Sequence, residues 1–119
     1  MKKLNIIFLT AILGFLSCKS EQKIPEINYS NEVVSEPIPF AQGIISTENN
    51  SEFELTFSTD GLTTYFSRRA PEQKQVIYES KFIDGKWSTP IQASFSTDRD
   101  ETPLITPNGK FMYFGSERP

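Results

Sequence analysis

The chain has 119 residues, with 12 basic and 15 acidic side chains, no histidine and one cysteine. That length fits a single domain, and the acidic balance argues against nucleic-acid binding, which needs a basic surface to release counterions. With no histidine and a single thiol, no zinc, copper or haem site can be assembled from nitrogen and sulfur ligands, and the usual histidine base of serine and cysteine hydrolases is absent.

Met1-Lys2-Lys3 is a short positive start, and Leu4 to Leu16 is an apolar run broken by Asn5, Thr10 and Gly14. Ser17-Cys18 follows. A basic start, an apolar core of roughly 7–15 residues and small residues before a cut describe a secretory signal, here a helix over residues 1–17. The run is shorter than the roughly 20 apolar residues of a comfortable transmembrane helix. Phe15-Leu16-Ser17-Cys18 resembles the lipobox of bacterial lipoproteins, with Phe15 where an aliphatic residue is usual. The resemblance implies cleavage before Cys18 and a diacylglycerol on its thiol, so Cys18 is the expected lipidation site. A lone thiol has no internal disulfide partner, and lipidation explains its presence. Several acyl chains hold a protein at a membrane far better than one. Loss of Lys2 and Lys3 with the leader leaves 10 basic against 15 acidic side chains.

Residues 18–39 are polar, acidic and poor in long apolar runs, which predicts a flexible tether behind the lipidated N-terminus. Residues 40–119 are the expected folded part. A short strand is expected near Gly43 to Ser46, and the prolines before Phe40 confine that region to an edge or loop. Leu55 and Phe57 alternate with Thr56 and Ser58, the period of a half-buried strand. Asp60-Gly61 predicts a type I′ hairpin turn, which needs positive φ at both central residues. Thr63 to Ser67 is the partner strand, Val76 to Ile83 a third, and Asp84-Gly85 a second hairpin turn. A fourth strand starts at Lys86-Trp87 and is confined to an edge by Pro90.

The pattern then recurs. Glu54 to Ser67 is matched by Thr102 to Gly115, with the turn glycines Gly61 and Gly109 separated by 48 residues, as are Tyr65 and Tyr113 and Phe66 and Phe114. Ser46-Thr47-Glu48 is echoed by Ser96-Thr97-Asp98, and Glu52 by Glu101. A period of this size marks propellers and solenoids. Four short antiparallel strands per period make one propeller blade. The expected fold class is therefore all-β, about one and a half four-stranded antiparallel blades. Phe111 to Phe114 and the Tyr65-Phe66 pair are apolar on both faces, as in strands covered on both sides.

Phe57-Ser58-Thr59-Asp60-Gly61 with Tyr65-Phe66-Ser67, Ile77-Tyr78, Asp84-Gly85-Lys86-Trp87 with Pro90, and Asp100-Glu101-Thr102-Pro103 resemble the WD-like β-propeller repeats of the TolB-like family. The variant is common in envelope lipoproteins of Bacteroidetes-type bacteria. Thr59, Leu62 and Arg68-Arg69 depart from the family pattern. The resemblance covers about residues 44–119, and it implies a fragment of a larger propeller lipoprotein, since at least three repeats are normally needed for stability. It further implies a non-enzymatic binding or scaffolding module at the outer membrane, periplasmic or surface-facing. Its partner would be an envelope protein, peptidoglycan or a glycan. The alternative is the propeller of an envelope hydrolase, a glycoside hydrolase or a prolyl-oligopeptidase-type peptidase. The peptidase needs a G-x-S-x-G motif, which this sequence lacks.

No catalytic residue, cofactor or metal site is assigned. Asp60 is explained by its turn. Asp98, Asp100 and Glu101 offer oxygen ligands of the kind calcium takes, but without a twelve-residue loop pattern, and read as a solvated connection. Arg68, Arg69 and Arg118 can bind carboxylates or tie backbone carbonyls between blades, the latter being what the family implies. Trp87 can stack on a sugar or pack in a core, and packing suits an aromatic of that size.

Overall fold

The computed structural model describes Val33 and residues 35–119. The leader helix, Cys18 and most of the 18–39 tether expected from the sequence lie outside the described residues. Among those described there is no helix. The strands are β1 (Ser51–Phe57), β2 (Thr63–Arg69), β3 (Val76–Ile83), β4 (Lys86–Trp87), β5 (Ile91–Gln92), β6 (Asp100–Ile105) and β7 (Met112–Ser116). Every pairing between them is antiparallel. The described part of the protein is all-β.

β1, β2, β3 and β4 pair in sequence order, and β5 returns to the same edge of β3 that β4 occupies. β4 and β5 are thus two pieces of one interrupted strand. Pro90 lies in the interruption and has no N–H to donate to β3. Ser88 bridges the gap, its N–H reaching Lys81 O at 2.8 Å while its hydroxyl accepts from Lys81 N at 3.0 Å. β6 and β7 form a separate two-stranded sheet lying against β1 and β2.

The first sheet curls. β1 and β4 are three strand spacings apart, about 14 Å across a flat sheet, yet the Phe57 and Trp87 ring centroids are 6.0 Å apart. Phe40 closes the gap edge-on to both rings, 5.7 Å from Phe57 and 5.6 Å from Trp87. Ile45, Phe66 and Trp87 are the buried centre of this core, with Phe82 and Tyr78 packed around it. Trp87 therefore packs in the interior.

No strand forms at Gly43 to Ser46. Ala41 and Gly43 both take positive φ, the amides of Ile44 and Ile45 fold back onto Ala41 O, and a single bridge joins Gln42 to Ser46. The resulting turn drives Ile45 into the core, where it is 1% exposed.

The two expected type I′ turns differ. Asp84 (φ 51°) and Gly85 (φ 78°) are both left-handed, and Ile83 pairs directly with Lys86, as that turn requires. At Asp60-Gly61 only Gly61 is left-handed. The loop there is longer: Ser58 N donates to Thr63 O and Gly61 N to Ser58 O. Asp60 Oδ1 instead accepts from Ser58 Oγ at 2.6 Å and Leu62 N at 3.0 Å. A side chain able to replace backbone partners favours this wider turn.

The 48-residue correspondence holds in three dimensions. In the second loop Asn108 Oδ1 accepts from Thr106 Oγ1 and Lys110 N, and Gly109 N donates to Thr106 O. Glu54 (φ 52°) and Thr102 (φ 57°) are both left-handed, each inside a β-bulge at the same place in its strand. The register also corrects one sequence pairing. Glu52 lies opposite Arg68 and Asp100 lies opposite Ser116, so Asp100, not Glu101, is the counterpart of Glu52. Of the pair expected to be buried on both faces, Phe66 is buried and Tyr65 half-buried, while in the second hairpin Phe111 and Tyr113 are 62% and 64% exposed.

Phe66→Ala is expected to lower stability in urea by about 3–5 kcal/mol, and Ile83→Ala, at an exposed position, by no more than about 0.5 kcal/mol. Asp60→Asn is expected to be near-neutral at pH 7, because Asn108 already performs that task, whereas Asp60→Ala should cost about 1 kcal/mol. Equal losses for the Asn and Ala variants would contradict the side-chain role in the turn.

Candidate functional site

The one site residue expected from the sequence, Cys18, lies outside the described residues. The charged residues singled out for possible chemistry are all described, and most are engaged in holding the fold.

Arg68 projects from β2 over the rings of Phe66 and Tyr78, 5.1 and 5.0 Å from their centroids. Its Nε donates to Glu52 Oε1 at 3.0 Å, and its Nη2 to the carbonyls of Ile44 and Ile45 at 3.1 and 3.0 Å. Glu52 in turn accepts from Thr47 N and Thr47 Oγ1. The pair fastens the segment before β1 to the sheet and keeps Ile45 beneath Phe66. Both side chains are nearly withdrawn from solvent, 11% and 14% exposed. A pair that deep is tolerable only because its remaining donors and acceptors are also satisfied.

The same device recurs in the second unit. Arg118 lies over Phe114, 5.3 Å from the ring centroid, and donates to Asp100 Oδ2 at 2.7 Å and to Phe95 O. Phe95 occupies the place of Ile45, its ring 5.3 Å from Phe114 and 6.1 Å from Tyr65. Ser96 Oγ also donates to Asp100 Oδ2, and accepts from Ile77 N of the first sheet. Arg68 and Arg118 thus each bind a carboxylate and tie backbone carbonyls at once. Arg69 lies over Phe53, 5.8 Å from its centroid.

The three carboxylates of the Asp98 to Glu101 stretch are drawn apart. Asp98 pairs with Lys74, Asp100 with Arg118, and Glu101 with Arg99. Among the described residues no group of three potential metal ligands converges.

Asp100 is fully buried, and its Oδ1 has no hydrogen-bond partner. Burial pushes its carboxyl up, but Ser116, Ser96, Arg118 and the Asp98 N–H together outweigh that and hold it below its ordinary value. Ser116 faces it across the register. Asp60, exposed in its turn, is also lowered, by the Ser58 hydroxyl and then the Leu62 N–H.

Among the described residues, clefts open on the surface. One, about 540 Å³, is lined by Gln42, Glu48, Asn49 and Asn50 among others. A second, about 330 Å³, runs between the two repeated turns past Ser58, Tyr65 and Lys110. A third, about 230 Å³, lies beside Arg68, Lys74 and Gln92. Among the described lining residues Glu48 is the single carboxylate, so the paired acids of glycoside hydrolysis do not meet in these clefts. Sequence reasoning missed Glu52 as the partner of Arg68. The signal was present as an acid opposite an arginine in a predicted hairpin, but the bulge hid the register.

No family model matches this chain, and no curated protein or solved structure matches it.

A carboxylate whose folded pKa is lowered contributes stability above its unfolded value of 3.8, and that contribution is lost as pH falls through the folded value. Stability is therefore expected to drop on acidification below about pH 4. Asp100→Asn should flatten that decline while lowering stability at pH 7. An unchanged acid limb in the variant would show that Asp100 is not the group responsible.

Proposed function

We propose that this chain is a lipid-anchored, non-enzymatic binding or scaffolding module of the bacterial cell envelope, built on β-propeller blades like those of the TolB-like family. The anchor reading rests on the basic start, the apolar run and Cys18. The blade reading rests on one observation above the others: a sheet with meander order, followed 48 residues on by the same bulge and the same side-chain-closed turn. A unit that repeats in this way buries its faces against neighbours of its own kind.

The fate of the charged side chains supports a binding role over a catalytic one. Arg68, Glu52, Arg118 and Asp100 are spent on fixing the connecting segments. What the protein leaves to solvent includes loops and open clefts, the parts of such a scaffold where partners dock. An envelope protein, peptidoglycan or a glycan fits that surface, and an outer-membrane location, periplasmic or surface-facing, follows from the anchor.

Cys18→Ser, expressed in a bacterium that processes lipoproteins, is expected to accumulate at the unprocessed mass, to lose radioactive palmitate labelling and to leave the detergent-soluble membrane fraction. Labelling that persists in the variant would remove the anchor from the account.

A further inference from the structure

The cleft of about 230 Å³ gathers groups that the fold leaves with donors to spare. A guanidinium carries five N–H donors. Arg68 spends its Nε on Glu52 and its Nη2 on the carbonyls of Ile44 and Ile45. Its Nη1 makes no hydrogen bond among the described residues. Asp100 Oδ1 is the one side-chain polar atom there that is both buried and unpartnered, so Nη1 is reached by solvent. Lys74 lines the same cleft, its side chain 60% exposed and its Nζ 3.2 Å from Asp98. Among the described lining residues there is no carboxylate. The two cations border the cleft, while their acids, Glu52 and Asp98, lie outside the lining.

The rest of the lining narrows the chemistry. Gln73, Gln92 and Thr97 are exposed and bring carboxamide and hydroxyl groups, each able to accept as well as donate. Gln92 Nε2 donates to Ser96 O, which fixes that side chain and leaves its Oε1 as an acceptor. Ala70 and Val76 add a small apolar wall. Tyr78 is the one ring among the described lining residues, and the Arg68 guanidinium already rests 5.0 Å from its centroid, so a sugar stacked on that face would compete with Arg68. The acids paired with Arg68 and Lys74 offset their charge, which suits a singly charged carboxylate better than a doubly charged phosphate.

We infer that this cleft binds the terminal carboxylate of a peptide whose last side chain is small. The carboxylate accepts from Arg68 Nη1 and Lys74 Nζ, and such charge-assisted hydrogen bonds are about twice as strong as neutral ones. Gln73 and Gln92 serve the adjoining peptide group, which needs both a donor and an acceptor. Ala70 and Val76 meet the side chain. The described walls all come from residues 68–97, so the site stands on the cleft itself, independent of the lipid anchor and of the blade reading.

The test titrates the full chain carrying Cys18→Ser, isotope-labelled and held in detergent micelles, with acetyl-alanyl-alanine and with its C-terminal amide. The free acid is expected to saturate, with backbone amide shifts centred on Gln73, Lys74 and Thr97, and the amide form to bind about tenfold more weakly. Lys74→Gln is expected to weaken the free acid about tenfold as well. Its urea midpoint should not move, because the exposed Lys74–Asp98 pair adds little stability. Lys74→Arg should restore most of the affinity. Inorganic phosphate and glucuronate, titrated separately, should each bind more weakly than the peptide acid. The inference is overturned by an absence of saturation, by equal affinity for acid and amide, or by shifts centred outside the cleft. Tighter binding of phosphate or glucuronate, or an affinity that Lys74→Gln leaves unchanged, would overturn it equally.

Discussion

A half-buried guanidinium organises this protein. Arg68 reaches from the sheet to the carbonyls of Ile44 and Ile45, while Glu52 neutralises it and holds Thr47. No strand forms over the 41–47 turn, so this clamp and the packing of Phe40 and Ile45 hold it against the sheet. Arginine suits the task in a way lysine does not. Its planar fork serves the acid and the carbonyls together, and its face rests on the Phe66 and Tyr78 rings.

The second unit solves the same problem with different spacing. Arg118 and Asp100 hold Phe95, and Phe95 fills the space between Tyr65 of the first unit and Phe114 of the second. The segment between units is thereby both a connection and a wedge. Charged groups that sequence reading weighed as ligands or catalysts, the arginines and Asp100 among them, take part in this fastening instead. That use of charge is why the functional reading falls on loops, clefts and faces rather than on a constellation of titratable residues.

Much of the fold was legible from local pattern. Val76 to Ile83 is a strand over the whole expected span, because eight residues of high β-propensity end at an Asp-Gly turn whose chemistry is local. Pro90 marked the end of the fourth strand as an edge, and that edge strand is interrupted there into β4 and β5. The misses share a different cause. The turn at Asp60-Gly61 differs from a type I′ turn because Ser58 and Asp60 cooperate across several residues. Glu52 was matched to Glu101 by residue type, although both copies carry the same bulge and the 48-residue offset carries Glu52 to Asp100. Ile45 looked like part of a strand, but it sits in a turn whose carbonyls Arg68 holds from more than twenty residues away. Phe111 and Tyr113 looked buried because their sequence is apolar, and apolar sequence alone does not supply a covering layer.

The direct test of this account is a double-mutant cycle on Arg68 and Glu52, measured by urea unfolding of Arg68→Ala, Glu52→Ala and the double variant. If the pair is the clamp that holds the 41–47 turn, the two substitutions are coupled by about 1–3 kcal/mol, and the double variant is far less destabilised than the sum of the singles. Additivity within about 0.3–0.5 kcal/mol would contradict it, and the turn would have to be held by something other than this buried pair.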